Sequence, residues 1–352
     1  MFISVIYLSE TFVTQPYSNS YYFAENLRTM NRYKLPLITS AIVVFLLTFV
    51  QLKVDLQMLM LDRFIPFGGW IEIGLIAAYT FFLATKMQDP NQSALWRKRS
   101  WTLFTIVFFA QLIIGILADE RFLLTGKLHL PIPAMIISGP IYRGHLGFMS
   151  ILFTSTVLLT GPAWCSQLCY FGALDNVLAN KKLKQRKPIK HLWETKNTIL
   201  VIVIAATIIL KYAGFSTLHA TIAGISFGAA GILIMLVLSH KNGTMMHCTT
   251  YCPIGTLVSY TKFISPFRIK IDTKCHMCMA CTGKCKYNAL TATHLENKKV
   301  GLTCTNCGDC LSACNDNYIR YKFLKLKPET ARNLYLILTI SLHAVFLALG
   351  RI

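Results

Sequence analysis

Long apolar runs dominate the pattern of hydrophobic and polar positions along this chain. Seven of them approach the length of about 17–25 residues that crosses a hydrocarbon core of roughly 30 Å. They are Leu37–Leu52, Gly69–Thr85, Trp101–Leu117, Gly147–Leu159, Thr198–Leu210, Thr221–Ser239 and Leu334–Leu349. The fourth and fifth are short and need flanking residues to span. Seven such runs are improbable as buried helices of a soluble core, so the pattern predicts an all-α polytopic membrane protein with about seven transmembrane helices.

The composition points to the same class of protein. Hydrophobic residues make up 54% of the 352 residues and charged residues only 14%, whereas a soluble domain carries roughly 25% charged residues. An ordinary soluble enzyme and a disordered chain are therefore both poor fits to this sequence.

The distribution of positive charge predicts the topology. The chain has 35 Lys+Arg against 15 Asp+Glu, and in a membrane protein such an excess marks cytoplasmic loops. The basic loops follow the second, fourth and sixth apolar runs, and the last of them carries 14 Lys+Arg against five Asp+Glu. This alternation predicts a multi-pass protein of the inner (cytoplasmic) membrane, with the N-terminus inside and the C-terminus outside. Residues 1–36 are predicted to form an N-terminal tail, whose first part is either an interfacial segment or a start-site artefact with Met30 as the initiator; the artefact is slightly favoured.

All twelve cysteines lie in loops on the predicted cytoplasmic side. Eight of them form two runs with one spacing, and the second run repeats the first at an offset of 29 residues. The runs are Cys275-x2-Cys278-x2-Cys281-x3-Cys285 and Cys304-x2-Cys307-x2-Cys310-x3-Cys314. In a bacterial ferredoxin with two 4Fe-4S clusters, this spacing lets three cysteines bind one cluster while the fourth binds the other. The sequence therefore predicts an inserted bacterial 2×(4Fe-4S) ferredoxin-like module.

The ferredoxin spacing also assigns the ligands of both clusters. Cluster 1 is assigned to Cys275, Cys278, Cys281 and Cys314, and cluster 2 to Cys304, Cys307, Cys310 and Cys285. Structural zinc favours separated cysteine pairs, and disulfides need an oxidising compartment, so both alternatives fit less well. Lys286 and Asn315 replace the proline that commonly follows the fourth cysteine, which changes the local turn but not the assignment.

The remaining four cysteines form two shorter motifs that resemble each other. Cys165-Ser-Gln-Leu-Cys169 and Cys248-Thr-Thr-Tyr-Cys252 each begin a few residues beyond the inner end of an apolar run. Both motifs continue to a glycine, Gly172 or Gly255, at the same distance. Because cysteines four residues apart can share one helical face, we interpret the four as a hypothetical third metal site, with iron–sulfur as the favoured occupant. Two redox-active or structural thiol pairs remain the alternative.

Together, the polytopic core and these cysteine motifs resemble the NapH/NosR/CcoG-type membrane polyferredoxins. The resemblance covers Gly147–Arg332 and is carried by the cysteines. It implies a 4Fe-4S binding membrane electron-transfer protein, often with quinol as donor. Tyr170 stands where the family pattern has proline, whereas Pro253 keeps that pattern, so the subtype within the group stays open.

Few other residues suggest chemistry. His343 lies in the last apolar run, where a hydrogen-bonded histidine is favoured over a haem ligand or a proton relay. Glu72 and Gln111 are polar groups at membrane depth, but two residues do not establish a quinone path. The Pro-rich segment Leu128–Leu146 is predicted to be re-entrant or interfacial and is the first candidate for a quinol pocket. No acid–base catalytic residue is predicted.

The sequence divides into four parts: the tail, residues 1–36; a membrane domain with six transmembrane helices and both short cysteine motifs, residues 37–260; the ferredoxin-like module, residues 261–327; and a C-terminal transmembrane helix, residues 328–352. The favoured interpretation is a protein of the lipid membrane that passes electrons between the quinone pool and a redox protein partner. The alternatives are a metal (copper) reductase or assembly factor for oxidase maturation, and a membrane iron–sulfur redox sensor. Nucleic acid is not an expected partner.

Overall fold

A computed structural model describes residues 18–123, 132–181 and 183–349 of the chain. Twelve α-helices and one two-stranded sheet are present in these ranges, besides short 3-10 and π turns. The helices are α1 Ser18–Lys53, α2 Gly68–Gln88, α3 Pro90–Leu117, α4 Met135–Arg143, α5 Phe148–Thr160, α6 Tyr170–Leu178, α7 Leu192–Tyr212, α8 Thr217–Ile234, α9 His240–Asn242, α10 Pro253–Thr261, α11 Ala292–Glu296 and α12 Pro328–Leu349. The strands are β1 Phe267–Ile271 and β2 Ile319–Phe323. The chain is therefore mostly helical, as the apolar pattern predicts.

Six helical segments among the described residues are long and apolar enough to cross a membrane. They are Tyr33–Lys53, Gly68–Gln88, Pro90–Leu117, Leu192–Tyr212, Thr217–Asn242 and Pro328–Leu349. They match six of the seven predicted runs, which makes this a multi-pass membrane protein. Many of their large apolar side chains, such as Phe45, Leu75 and Leu233, are exposed, as expected for surfaces that face lipid.

The fourth predicted run folds differently from the other six. It forms α5, a helix of 13 residues, which at 1.5 Å per residue is about 20 Å long and shorter than the hydrocarbon core. The helix ends at Gly161-Pro162, where Gly161 has a φ of 62°. A Cβ on Gly161 would lie 2.2 Å from the Oγ of Ser265, so the chain turns sharply here against the segment that leads into β1.

The predicted N-terminal tail lies only partly within the described residues. Its residues 1–17 lie outside the described residues, whereas residues 18–36 belong to α1, which continues without interruption through the first apolar run. The boundary predicted at residue 36 is therefore not a break in secondary structure.

The eight-cysteine segment sits at one end of the helices, between α10 and α12. Strands β1 and β2 pair antiparallel with Phe267 opposite Phe323, and alternate side chains of β1 point inward. The Phe267 ring packs against Tyr335 of α12 at a centroid distance of 5.4 Å. This contact and the short connection from β2 into α12 hold the segment against the membrane helices.

Candidate metal centre

The 29-residue duplication is visible in the backbone of the eight-cysteine segment. Left-handed conformations recur at equivalent positions of the two halves, in the pairs Met277 and Asn306, Met279 and Gly308, and Asn288 and Asn317. A 3-10 turn also separates the third and fourth cysteine in each half, at Thr282–Lys284 and Leu311–Ala313. The repeat read from the cysteines is therefore a repeat of the whole loop conformation.

This loop conformation suits an anionic inorganic group. Alternation of right- and left-handed residues turns successive N–H groups toward one centre, a geometry that recurs at anion and iron–sulfur sites. Methionine in the left-handed region is unfavourable on its own, yet Met277 and Met279 both adopt it. The fourth cysteine of each run accepts a backbone hydrogen bond at its Sγ, Cys285 from Ala289 at 3.3 Å and Cys314 from Tyr318 at 3.2 Å. Both halves are thus shaped to hold thiolates.

Electrostatic interactions link thiols within each of the two sets that the ferredoxin spacing predicts, and also across them. Burial raises the pKa of Cys281 to about 11, and the thiols of Cys314, Cys275 and Cys278 act in the same direction. Burial likewise raises the pKa of Cys310, and Cys307, Cys304, Cys285 and, from the other set, Cys281 act in the same direction. The interactions of Cys281 and Cys310 thus include the fourth cysteine of the other run, as the assignment requires. The ligand roles themselves stay a prediction.

The two short motifs adopt a common backbone structure. Cys165 lies in a π-helical turn at Trp164–Leu168 and Cys248 in a π-helical turn at His247–Tyr251. The second cysteine of each motif is extended and begins a new helix, Cys169 before α6 and Cys252 before α10. The sequence predicts both motifs in loops and suggests an α-helical face shared by the two cysteines. Instead, each motif forms a π turn that ends at an extended second cysteine.

The two motifs meet, and their four thiols converge. Burial, together with the neighbouring thiol of Cys252, raises the pKa of Cys169 to about 12. Burial also raises the pKa of Cys248, which interacts with Cys169, Cys252 and Cys165 as well. Cys165, Cys169 and Cys252 are each less than 10% exposed. The structure therefore brings the predicted four-cysteine site together from residues that lie up to 87 positions apart in the sequence.

Side chains from three directions fix the backbone of the four-cysteine site. Trp101 of α3 donates from its indole Nε1 to the carbonyl oxygen of Cys169 at 2.9 Å. The Tyr287 hydroxyl donates to the carbonyl oxygen of Cys165 at 2.8 Å. The backbone N–H of Cys248 donates to the Asp175 carboxylate at 2.9 Å, and burial raises the pKa of Asp175 to about 6. No local pattern in the sequence predicts any of these three contacts.

The two motif glycines lie where a side chain would clash with the backbone of the preceding π turn. A Cβ on Gly255 would lie 2.6 Å from the carbonyl oxygen of Cys248, and a Cβ on Gly172 would lie 2.7 Å from that of Cys165.

We expect Gly255→Ala to destabilise the protein by about 1–3 kcal/mol, because the added methyl group would clash with a backbone carbonyl that has little freedom to shift. A lower thermal unfolding midpoint in detergent would show this. Gly74→Ala is the control, since its Cβ meets nothing within 4 Å; equal midpoints for the two variants would contradict the prediction.

A buried ion pair connects the four-cysteine site to the eight-cysteine segment. Arg97 of α3 is 1% exposed and binds the Asp309 carboxylate through Nε and Nη2, both at 3.0 Å. Its Nη1 donates to the carbonyl oxygen of Ser166 at 2.7 Å. The Ser166 hydroxyl in turn donates to the carbonyl oxygen of Thr305 at 3.2 Å. The charge pattern predicts Arg97 only as a basic loop residue. Its partner Asp309 lies 212 positions away in the sequence.

One residue of the basic run between α6 and α7 also connects two segments of the structure. Arg186 is 5% exposed and donates to the carbonyl oxygens of Gly243 at 2.6 Å and Gly283 at 3.2 Å. Gly283 lies between the third and fourth cysteines of the first run. This arginine therefore ties the eight-cysteine segment to the loop before the second short motif.

The other polar residues singled out in the sequence lie apart from the cysteines or have ordinary partners. His343 shares hydrogen bonds with the Tyr79 hydroxyl at 3.0 Å and the Gln167 carbonyl oxygen at 3.3 Å, as the favoured interpretation predicts. Glu72 accepts from the backbone N–H of Leu61 at 2.9 Å. Gln111 is buried within α3. The predicted quinol segment, residues 128–146, contains α4, but residues 128–131 lie outside the described part of the chain.

The arrangement of thiols differs from that of a site for one metal ion. Within the described ranges, no three or more His, Cys, Asp or Glu side chains are placed to hold a single ion. A cubane cluster needs no such convergence, because each thiolate binds a different iron at a different corner.

Comparison with known families supports iron–sulfur chemistry. Residues 143–190 match a 4Fe-4S binding domain family. A 4Fe-4S binding domain is present. The matched residues contain Cys165 and Cys169 and lie wholly outside the eight-cysteine segment, so the match concerns the first short motif. Two proteins of Methanocaldococcus jannaschii named as uncharacterized are similar to the chain. MJ0750 is 23% identical over 64% of this chain and 94% of its own length, and MJ0749 is 24% identical over 66% and 88%. No solved structure matches the chain.

Proposed function

We propose that this chain is a membrane-bound iron–sulfur electron-transfer protein that passes electrons between the quinone pool and a redox protein partner. The observation that carries the proposal is the contact between the four-cysteine site and the eight-cysteine segment. A 4Fe-4S cluster at each set of four cysteines would supply one-electron transfer. The chain's own residues would ligate the clusters, exclude water from the buried thiols and hold the three sets in fixed relation to one another.

The order of the three sets supports a chain of carriers. The four-cysteine site touches the cluster-2 set, because Tyr287 bonds Cys165 and follows the cluster-2 ligand Cys285 by two residues. The cluster-1 set lies farther out, and its Cys278 is exposed. The membrane is thus at one end of the series and solvent at the other. This arrangement suits a lipid-soluble partner at the first end and a soluble redox protein at the second.

The proposal includes seven membrane crossings, with the cysteines on the cytoplasmic side. Helix α3 begins beside the eight-cysteine segment, where Arg97 binds Asp309. It ends at the opposite side, where Arg63 donates to the carbonyl oxygen of Leu123 at 3.0 Å. The chain has returned to the first side by Cys165, which supports a crossing by α4 and α5 together. The basic loops then lie on one side, which the positive-inside rule assigns to the cytoplasm.

Iron content and reduction by quinol test this function. We expect the full chain, purified anaerobically in detergent, to contain about twelve irons and as many acid-labile sulfides, which is four of each per cluster. Electron paramagnetic resonance should show cluster reduction by a quinol, or cluster oxidation by a quinone after reduction with dithionite. About eight irons per chain would contradict the third cluster. Clusters that dithionite reduces but that exchange electrons with neither form of quinone would contradict the link to the quinone pool.

A further inference from the structure

A lysine is buried beside the four-cysteine site. Lys196 lies in the second turn of α7 and is 1% exposed. In the part of the chain that the structure describes, its ammonium forms no ion pair with a carboxylate. Its nitrogen lies 5.9 Å from the ring of Trp193, one turn earlier on the same helix. A lysine this deeply buried needs a compensating negative charge or must lose its proton.

Three of the four thiols compensate this charge: burial disfavours the charged form of Lys196, and Cys252, Cys165 and Cys248 act in the opposite direction. Lys196 lines one small cavity together with Cys165 and Cys248. Burial raises the pKa of Cys165 and of Cys252, and the Lys196 ammonium acts in the opposite direction on both. The hydroxyl of Thr256, on α10, bonds the Lys196 backbone carbonyl at 3.5 Å. Helices α7 and α10 therefore meet at the point where this lysine faces the thiols of both short motifs.

Two of the cations near the cluster-2 set have a carboxylate partner. Arg97 and Lys98 both bind the Asp309 carboxylate, at 3.0 Å and 2.9 Å, so part of their charge is neutralised by a protein group. Lys262 and Arg186 also interact with cluster-2 thiols, and they donate to the backbone carbonyl oxygens of Gly301 and Gly243. Lys196 has no such carboxylate among its described neighbours. Its charge is thus the one that an anionic occupant of the four-cysteine site would balance.

We propose that Lys196 is the counter-charge of the four-cysteine centre and raises its reduction potential. The inference rests on the proposed third cluster. Four thiolates leave a 4Fe-4S centre with net negative charge, and the addition of one electron makes that charge more negative. A fixed cation nearby stabilises the reduced state more than the oxidised state, and the low dielectric of the buried site strengthens the interaction. Lys196 acts on the potential through space and is not a ligand.

Redox titration of variants tests the proposal. We expect Lys196→Met, followed by electron paramagnetic resonance, to shift the reduction equilibrium of one centre toward the oxidised form at least tenfold, or 59 mV for a one-electron couple. The centres of the eight-cysteine segment should keep their potentials. Lys196→Arg keeps the positive charge and should stay close to wild type. Lys211→Met, at the far end of the same helix, is the control for loss of a lysine from α7.

The possible results separate this inference from the function on which it rests. A wild-type chain with about eight irons contradicts the third cluster itself. A Lys196→Met variant with about twelve irons and three unchanged potentials contradicts only the role of Lys196. If Lys196→Met lacks four irons, its potentials cannot be compared, and the Lys196→Arg variant then tests whether Lys196 acts as the counter-charge. Full iron content and a near-native potential in Lys196→Arg support the counter-charge, whereas loss of the same four irons, or a potential lowered as in Lys196→Met, contradicts it.

Discussion

Replacing Cys252 with alanine is expected to remove one cluster and leave the other two in place. Cys252 is 6% exposed and lies among the other three thiols of the four-cysteine site, so its loss leaves a cubane at this site one ligand short. The eight-cysteine segment has its own backbone framework and its own thiols, and it should still bind its clusters. We therefore expect iron and sulfide to fall from about twelve to about eight per chain.

The same variant should stop electron exchange with the quinone pool while dithionite still reduces the remaining clusters. This follows from the proposed order of the sets, in which the four-cysteine site takes the membrane end; there Trp101 of α3 donates to the carbonyl oxygen of Cys169. Cys278→Ala is the matched control, since Cys278 is the exposed member of the outer set. It should remove a different spectroscopic signal and impair transfer to a soluble acceptor instead. Loss of the same signal in both variants would contradict the separation into inner and outer sets.

The sequence predicts the local features of this site well, because cysteine spacing and loop conformation are local properties. The 29-residue offset identified a repeat that the backbone reproduces down to the left-handed residues Met277 and Asn306. The likeness between the two short motifs also reappears, as two π turns that each lead into a helix. In each case, a few consecutive residues determine the geometry.

Contacts between distant segments could not be predicted in the same way. The charge pattern assigned Arg97 to a cytoplasmic loop, but no periodicity connects it to Asp309, 212 positions later. Lys196 likewise reads as the end of a basic run until α7 places it against the thiols. Both depend on how helices pack, which a hydropathy pattern does not specify beyond which segments are apolar. The length of α5 depends similarly on the turn at Gly161, where Ser265 approaches from 104 positions away.

Breaking the Arg97–Asp309 pair should release the eight-cysteine segment from the helices. Arg97→Met would leave the Asp309 carboxylate buried with only Lys98 as a cationic partner, and the removal of one partner from a buried pair costs about 3–5 kcal/mol. Asp309 lies between the cluster-2 cysteines Cys307 and Cys310, so the loss of the ion pair would directly affect the loop that carries these cysteines. We expect faster hydrogen exchange in residues 304–314 and slower electron transfer between the four-cysteine site and the outer clusters.

Two further variants distinguish this ion pair from a general effect of charge. Lys98 also binds Asp309 at 2.9 Å, but its side chain is 33% exposed, so Lys98→Met should cost less than about 1 kcal/mol. The double variant Arg97→Met/Asp309→Leu removes both buried charges and should be less destabilised than Arg97→Met alone, because no uncompensated carboxylate remains. Equal hydrogen exchange in all three variants would show that the pair does not dock the segment. A docked segment in the double variant with slow electron transfer would instead show that the charges themselves, rather than the docking, control the rate.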